Sequence, residues 1–140
     1  MSRKIPFPRL VYDPARRSLY VFLRDRRPEE VARSEHAPLR LGLGADRRLI
    51  ALTVEQSATT HLGRLETARR LPGSSIGPHG EFLDLAFSAA ALDQDRKGWD
   101  AILDFDLRDD LIGFQVFFEL PLGDPRFLLK SLDVETVRFV

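Results

Sequence analysis

Apolar and polar residues alternate along most of this chain, and a period of two predicts strands; the three-to-four spacing of a helix is confined to short stretches. In "RLVYD" (9–13) and "SLYVFLR" (18–24) every second position is apolar or aromatic. Between them "DPARR" reads as a turn, with Pro14 fixing φ and Asp13 placed to bond the backbone beyond it, so the two strands make a hairpin. The alternation resumes in "VARSE" (31–35), "LRLGL" (39–43) and "RLIALTVE" (48–55), with "GADR" turning between the last two. One segment is helix-like. In "TTHLGRLETARRL" (59–71) Leu62, Leu65, Ala68 and Leu71 fall three apart, with Thr59 or Thr60 as N-cap. After a Pro/Gly loop at 72–80, strands return in "EFLDLAF" (81–87), "DAILDFDL" (100–107) and "DLIGFQVFF" (110–118), the intervening "SAAALDQDRKGW" (88–99) being irregular or briefly helical. In the tail, "GDPRFLLKSL" (123–132) predicts a helix with Asp124 as N-cap and Pro125 in its first position, and "VETVRFV" (134–140) a strand.

The pattern also repeats over a longer distance. Setting Leu41 against Leu103, an offset of 62, aligns Leu49 with Leu111, Ile50 with Ile112 and Val54 with Val116, four identities in fourteen positions. The parity matches as well, since Leu43 meets Phe105, Leu52 meets Phe114, and Thr53 and Gln115 fall on the opposite face in both copies. Upstream, Leu19, Val21 and Leu23 match Leu83, Leu85 and Phe87 at an offset of 64. The expectation is a single domain, mainly β, built from two related hairpin units (about 10–71 and 81–140, joined by 72–80). Their strands would form a pseudo-twofold sheet pair or sandwich around one core, with one or two short helices.

The opening "YDPARRSLYVFLRD" (12–25), followed by the hairpin "LGLGADRRLIALTV" (41–54), resembles a family of small bacterial β-domains of unknown function. Its pattern runs Tyr-Asp, a turn, Leu-Tyr-Ile, an Asp-x-Asp turn, then Gly-Ile-Glu. Tyr12, Asp13, Leu19, Tyr20 and Val21 match the opening, and Asp104, Asp106, Leu111, Ile112 and Gly113 match the close, Phe114 and Gln115 standing for Ile-Glu. The first copy departs from the pattern, having Gly42 and Gly44 in place of the aspartates and Ala51 in place of the Gly. The resemblance implies a fold and no agreed chemistry.

Composition narrows the classes. At 140 residues the chain is one ordinary domain, and 44% hydrophobic with 30% charged residues suits a globular protein without disordered tracts. Absence of Cys excludes disulfides, thiolate chemistry and Cys-ligated zinc. With neither an apolar span nor the apolar stretch of a secretory signal after "MSRKIPFPRLVYD", the expectation is a cytoplasmic protein away from membranes. Charge is uneven: +6 over residues 1–27, +1 over 28–80 and −7 over 81–140. The ends should attract each other, within one molecule, across a homo-oligomer or toward a charged partner. The scattered Arg pairs make a weak case for nucleic acid, which wants a clustered basic face. Basic residues are nearly all Arg and Asn is absent, which fits either a thermophile or coding bias.

The densest candidate chemistry lies between 104 and 110. Asp104 and Asp106 share one face if the strand runs on, opposite Leu103, Phe105 and Leu107, and with Asp109 or Asp110 they offer oxygen ligands to Ca²⁺ or Mg²⁺. The competing reading is a solvated hairpin turn. It is favoured because an EF-hand loop would need Gly and Glu where Asp109 and Gln115 stand, and because Gly42 and Gly44 replace the carboxylates in the first copy. "GSSIG" (73–77) fits the nucleophile pattern around Ser75, yet a helix enters and a Pro-His-Gly turn leaves, the reverse of the strand-to-helix elbow. His36, His61 and His79 have no metal-ligand spacing, and "GLG" (42–44) lacks the third Gly of a dinucleotide loop. Trp99, Phe117 and Phe118 are core residues unless exposed, in which case they mark a contact patch.

No residue set supports catalysis and no cofactor is implied, so the leading expectation is a non-catalytic protein acting by association with a protein partner or with itself, through exposed sheet edges. The alternative is a small-molecule or divalent-metal binding module, with hydrolysis as one form of it, sited between the copies near Asp104, Asp106 and His79.

Overall fold

The computed structural model describes residues 8–13, 15–45, 48–87, 92–117 and 137–139. Nine described strands join edge to edge in one sheet: β1 Arg9–Asp13, β2 Ser18–Phe22, β3 Arg33–Leu43, β4 Leu49–Glu55, β5 Ser74–Ile76, β6 Phe82–Ala86, β7 Gln94–Phe105, β8 Leu111–Phe117 and β9 Val137–Phe139. Their order is β5-β6-β4-β3-β7-β8-β2-β1-β9. Neighbours are antiparallel except β9, which lies parallel to β1.

Alternation explains the shape. Leu10 and Tyr12, Leu19 and Val21, the odd residues from Ala37 to Leu43, Leu52 and Val54, Leu83 and Leu85, Ala101, Leu103 and Phe105, and Phe114 and Val116 all point to one face and are buried. No second described sheet faces them, so the single sheet curls around its own apolar side. The segment after β4 fills the mouth with Leu62, Leu65 and Ala68, which join the same core. Each fully buried Leu contributes about 1.5–3 kcal/mol, which fixes the strand register wherever one face is buried.

The mainly β architecture with short helices is as the alternation predicts, and its hairpins meet in one continuous sheet instead of two stacked ones. On either side of the β3–β7 seam the pairings repeat. Leu41 stands opposite Leu52, and Leu103 opposite Phe114; each hairpin is bulged at the same place, between Gly42 and Leu43 and between Asp104 and Phe105. Leu52 faces Leu85 across β4–β6, as Phe114 faces Val21 across β8–β2. Exchanging β1–β4 with β5–β8 therefore reverses the strand order of these eight and leaves it otherwise unchanged.

Several boundaries differ from the sequence expectation. The stretches 31–35 and 39–43 belong to one strand, β3, running through Pro38, which pairs with Asp100 of β7 while β4 pairing begins only at Leu39. A proline is tolerated there because that side of β3 has no ladder to interrupt. Residues 94–99, expected to be irregular, begin β7, and 74–76, expected to be loop, form β5. Asp106 lies beyond the end of β7, so Leu107 sits in the turn, 93% exposed, and not on the core face. The helix expected over 59–71 shrinks to α1, Glu66–Arg69. Tertiary bonds take the place of helical ones: the Ser57 hydroxyl accepts the Thr59 and Thr60 N–H groups, the Thr60 hydroxyl donates to the His36 carbonyl (2.6 Å), and Arg64 N–H donates to the Asp109 carbonyl. Gly63 takes φ +72°, where any side chain would strike the Asp109 carbonyl. The helix expected over 123–132 lies outside the described residues.

Candidate functional site

The four aspartates that crowd the β7–β8 connection are parted by the fold, each onto partners of its own. Asp106 closes the turn, its Oδ1 accepting Arg108 N–H (2.9 Å) and Asp110 N–H (3.1 Å) and its Oδ2 accepting Arg24 (3.3 Å). Burial alone would raise its pKa, but these bonds together outweigh it and hold the carboxyl below its ordinary range. Asp109, in the left-handed region at φ +64°, pairs with Arg33, whose guanidinium lies over the Phe105 ring. Asp110 is buried and bonds Glu66 N–H (2.8 Å), Thr67 N–H and the Thr67 hydroxyl, tying α1 to the sheet. Asp104 faces outward from β7. Among the described residues no three His, Cys, Asp or Glu side chains gather as a metal site.

Around Asp104 the outer face is filled by the chain itself. The Tyr20 hydroxyl donates to Asp104 Oδ2 at 2.6 Å, Ser34 donates to Oδ1 at 2.7 Å, and Arg26 reaches both the Tyr20 oxygen (3.1 Å) and Oδ2 (3.4 Å). Arg26 and Asp104 are only 12% and 13% exposed, so this pair is far less screened than the surface ones. Burial pushes the Tyr20 phenol well above its ordinary range; the bond to Asp104 adds to that and Arg26 opposes it. The ring crosses Gly113, whose missing Cβ would lie 2.5 Å from the Tyr20 hydroxyl. Arg26 stacks on the Tyr20 ring (4.8 Å) and Arg9 on Phe22 (4.7 Å). The attraction expected between the basic start and the acidic end is thus met in part inside the chain, by Arg24–Asp106 and Arg26–Asp104.

The remaining candidates scatter. Ser75 lies mid-strand in β5, exposed and opposite Asp84, a setting unlike a nucleophile turn. His79 sits in the β5–β6 turn, its N–H bonded to Glu81, and is not among the partners of Asp104 or Asp106. His36 and His61 are exposed, on β3 and in the loop before α1. Gly42 is the last residue but one of β3 and Gly44 follows the strand, Trp99 packs partly buried against the core, Phe117 is 39% exposed at the end of β8, and Phe118 lies outside the described residues.

The structure also holds a site that the sequence reading passed over. On the outer face of β3, β4, β6 and β5, Arg40, Thr53, Asp84 and Ser75 stand in one straight row, each opposite the next across the sheet. The adjacent row is Gly42, Ala51 and Ala86, so the surface drops away beside the polar side chains. The result is a cleft of about 380 Å³, walled by Ile50, Phe82 and Leu92. Ile50 enters as the extra residue of the β4 bulge, a device that re-aims a side chain. Thr53 donates to Asp84 Oδ1 at 2.7 Å, leaving Oδ2 without a bond from any described residue. Arg40 is held by Glu55 at 2.6 Å. Such a space, with apolar walls and a few convergent polar groups, suits a small molecule. The signal lay in the sequence as the small residues Gly42, Ala51 and Ala86, which the offsets of 62 and 64 set against Asp104, Gly113 and Phe22 in the other half of the sheet. A second cleft, near Arg24, Arg70 and Arg108, is neutralised by Asp106, Asp110 and Glu66.

Comparisons with protein families, curated proteins and solved structures find no match for this chain. Among the described residues no helix is long and apolar enough to cross a membrane.

Proposed function

We propose that this protein is a non-catalytic small-molecule binding module whose site is the outer-face cleft of β3, β4 and β6. The observation that carries this reading is Asp84, a part-buried carboxylate with one oxygen that no described residue bonds, set in a largely apolar hollow of ligand size. Thr53 and Ser75 set hydroxyls beside Asp84, but among the described lining residues no histidine or lysine joins them, and we read the arrangement as recognition rather than turnover. We further propose that the two units descend from one duplicated strand module, of the kind the resemblance suggested, because hairpin register and bulge position recur at the offsets of 62 and 64.

The test is an NMR titration of the labelled chain with a library of small fragments. Hits should move the amides of Gly42, Ala51, Thr53 and Asp84, and Ala86→Phe, which fills the cleft from its exposed rim, should abolish them. Hits that leave these amides still and survive Ala86→Phe would overturn the assignment. Sedimentation equilibrium addresses the association reading: a monomer at high concentration fits a ligand-binding module, and a stable dimer would support sheet-edge pairing.

A further inference from the structure

Resting on the cleft as the binding site, the two halves of the sheet say what kind of molecule belongs there. The register places Ile102, Gln115, Tyr20 and Val11 in the row equivalent to Arg40, Thr53, Asp84 and Ser75. The next row holds Asp104, Gly113 and Phe22 where the cleft has Gly42, Ala51 and Ala86. One half is therefore filled by the chain's own groups: a phenol crosses a glycine, reaches an aspartate at 2.6 Å and carries a guanidinium on its face. In the other half the ring is absent and its position supplies Asp84, while Ala51 stands for the glycine beneath the ring and Gly42 stands for Asp104, both small. The carboxylate and the ring have changed places; the hollow remains.

We infer that the cleft binds a small aromatic molecule bearing a hydrogen-bond donor, a phenol or aryl amine, with its ring over Ala51 against Leu92 and its donor on Asp84 Oδ2. Ile50, Phe82 and Leu92 supply the apolar contact that such a ring needs. Arg40, paired with Glu55, lines the same hollow and sets a positive charge at its edge. A carboxylate acceptor favours a donor over a bare hydrocarbon, because a ring without one desolvates Oδ2 and gives it no bond in return.

The probe is 4-methylphenol, the free counterpart of a tyrosine side chain, compared with toluene by amide shifts in the full chain. A Kd on the order of 1 mM is expected for so small a ligand. Toluene should bind about tenfold or more weakly, and Asp84→Ala should erase the difference. Equal binding of the two probes, unchanged by Asp84→Ala, would refute the donor-bearing class while leaving the cleft as a site. No shift at the cleft with either probe or with the fragment library would sink both readings. An independent arm fills the cleft on the pattern of the other half, combining Asp84→Tyr, Ala51→Gly and Gly42→Asp. Leu92 and Ala51 are the atoms a side chain at position 42 would meet, at 3.1 Å, and one is removed while the other is flexible. The filled variant should lose 4-methylphenol binding, and its introduced phenol should resist ionisation like Tyr20; one that ionises in its ordinary range would show that the two halves are not equivalent.

Discussion

Tyr20 shows how one side chain can settle a whole patch of surface. Its ring lies flat because Gly113 lets it, its hydroxyl has a charged acceptor, and Arg26 covers the face left open. Removing the hydroxyl in Tyr20→Phe deletes a part-buried bond to a carboxylate and should lower unfolding free energy by about 2 kcal/mol in urea titrations. Gly113→Ala forces the ring off Asp104 and should cost at least as much, with Tyr20 then ionising nearer its ordinary range. The sign of the pH effect follows from the neutral phenol being the form the fold favours. Its contribution is fully present below pH 10, the unfolded value, and drains away as pH rises above it, since the unfolded chain releases the proton first. Difference absorbance between the native chain and Tyr20→Phe should show no tyrosinate signal for this residue at pH 10. Asp110→Ala should be costlier, about 3 kcal/mol, because it strips partners from two N–H groups and a hydroxyl at once.

At the scale of elements, the β7–β8 turn does more than reverse the chain. Through Asp106, Asp109 and Asp110 it fastens the β2 end, β3 and α1. Asp106 is held below its ordinary carboxylate range, and its stabilisation is complete above about pH 4 and lost as pH falls through the folded value. Asp106→Ala should therefore flatten the decline in stability measured between pH 5 and 3. Strand positions were legible because burial on one face enforces a strict period of two, visible in the Leu19–Val21–Leu23 and Leu83–Leu85 series. The helix is shorter than the spacing predicts for a physical reason: Leu62, Leu65 and Ala68 do enter the core, but Leu65 at φ +56° and Gly63 deliver them from an irregular backbone, which spacing alone cannot reveal. The cleft was invisible for a related one, since a hollow is made by side chains that are small, and pattern reading weighs those that are large.

Across the whole molecule the units are interleaved. β2 pairs with β8 and β4 with β6, so each half of the chain leaves its inner strands completed only by the other. Separate fragments cut within 72–80 should each lack the circular dichroism of a sheet, and Leu41→Ala at the seam, a loss of about 2–5 kcal/mol, should lower one shared transition seen alike by Trp99 fluorescence and far-ultraviolet dichroism. Two transitions would contradict a common core. The same interleaving sets a timetable for birth on the ribosome. The β1–β2 hairpin emerges early, yet its partners β8 and β9 are made near the end, so its edges wait bare while nearly all the rest is synthesised. Chaperone dependence of the nascent chain, rather than fragility of the finished fold, is where this topology leaves its vulnerability.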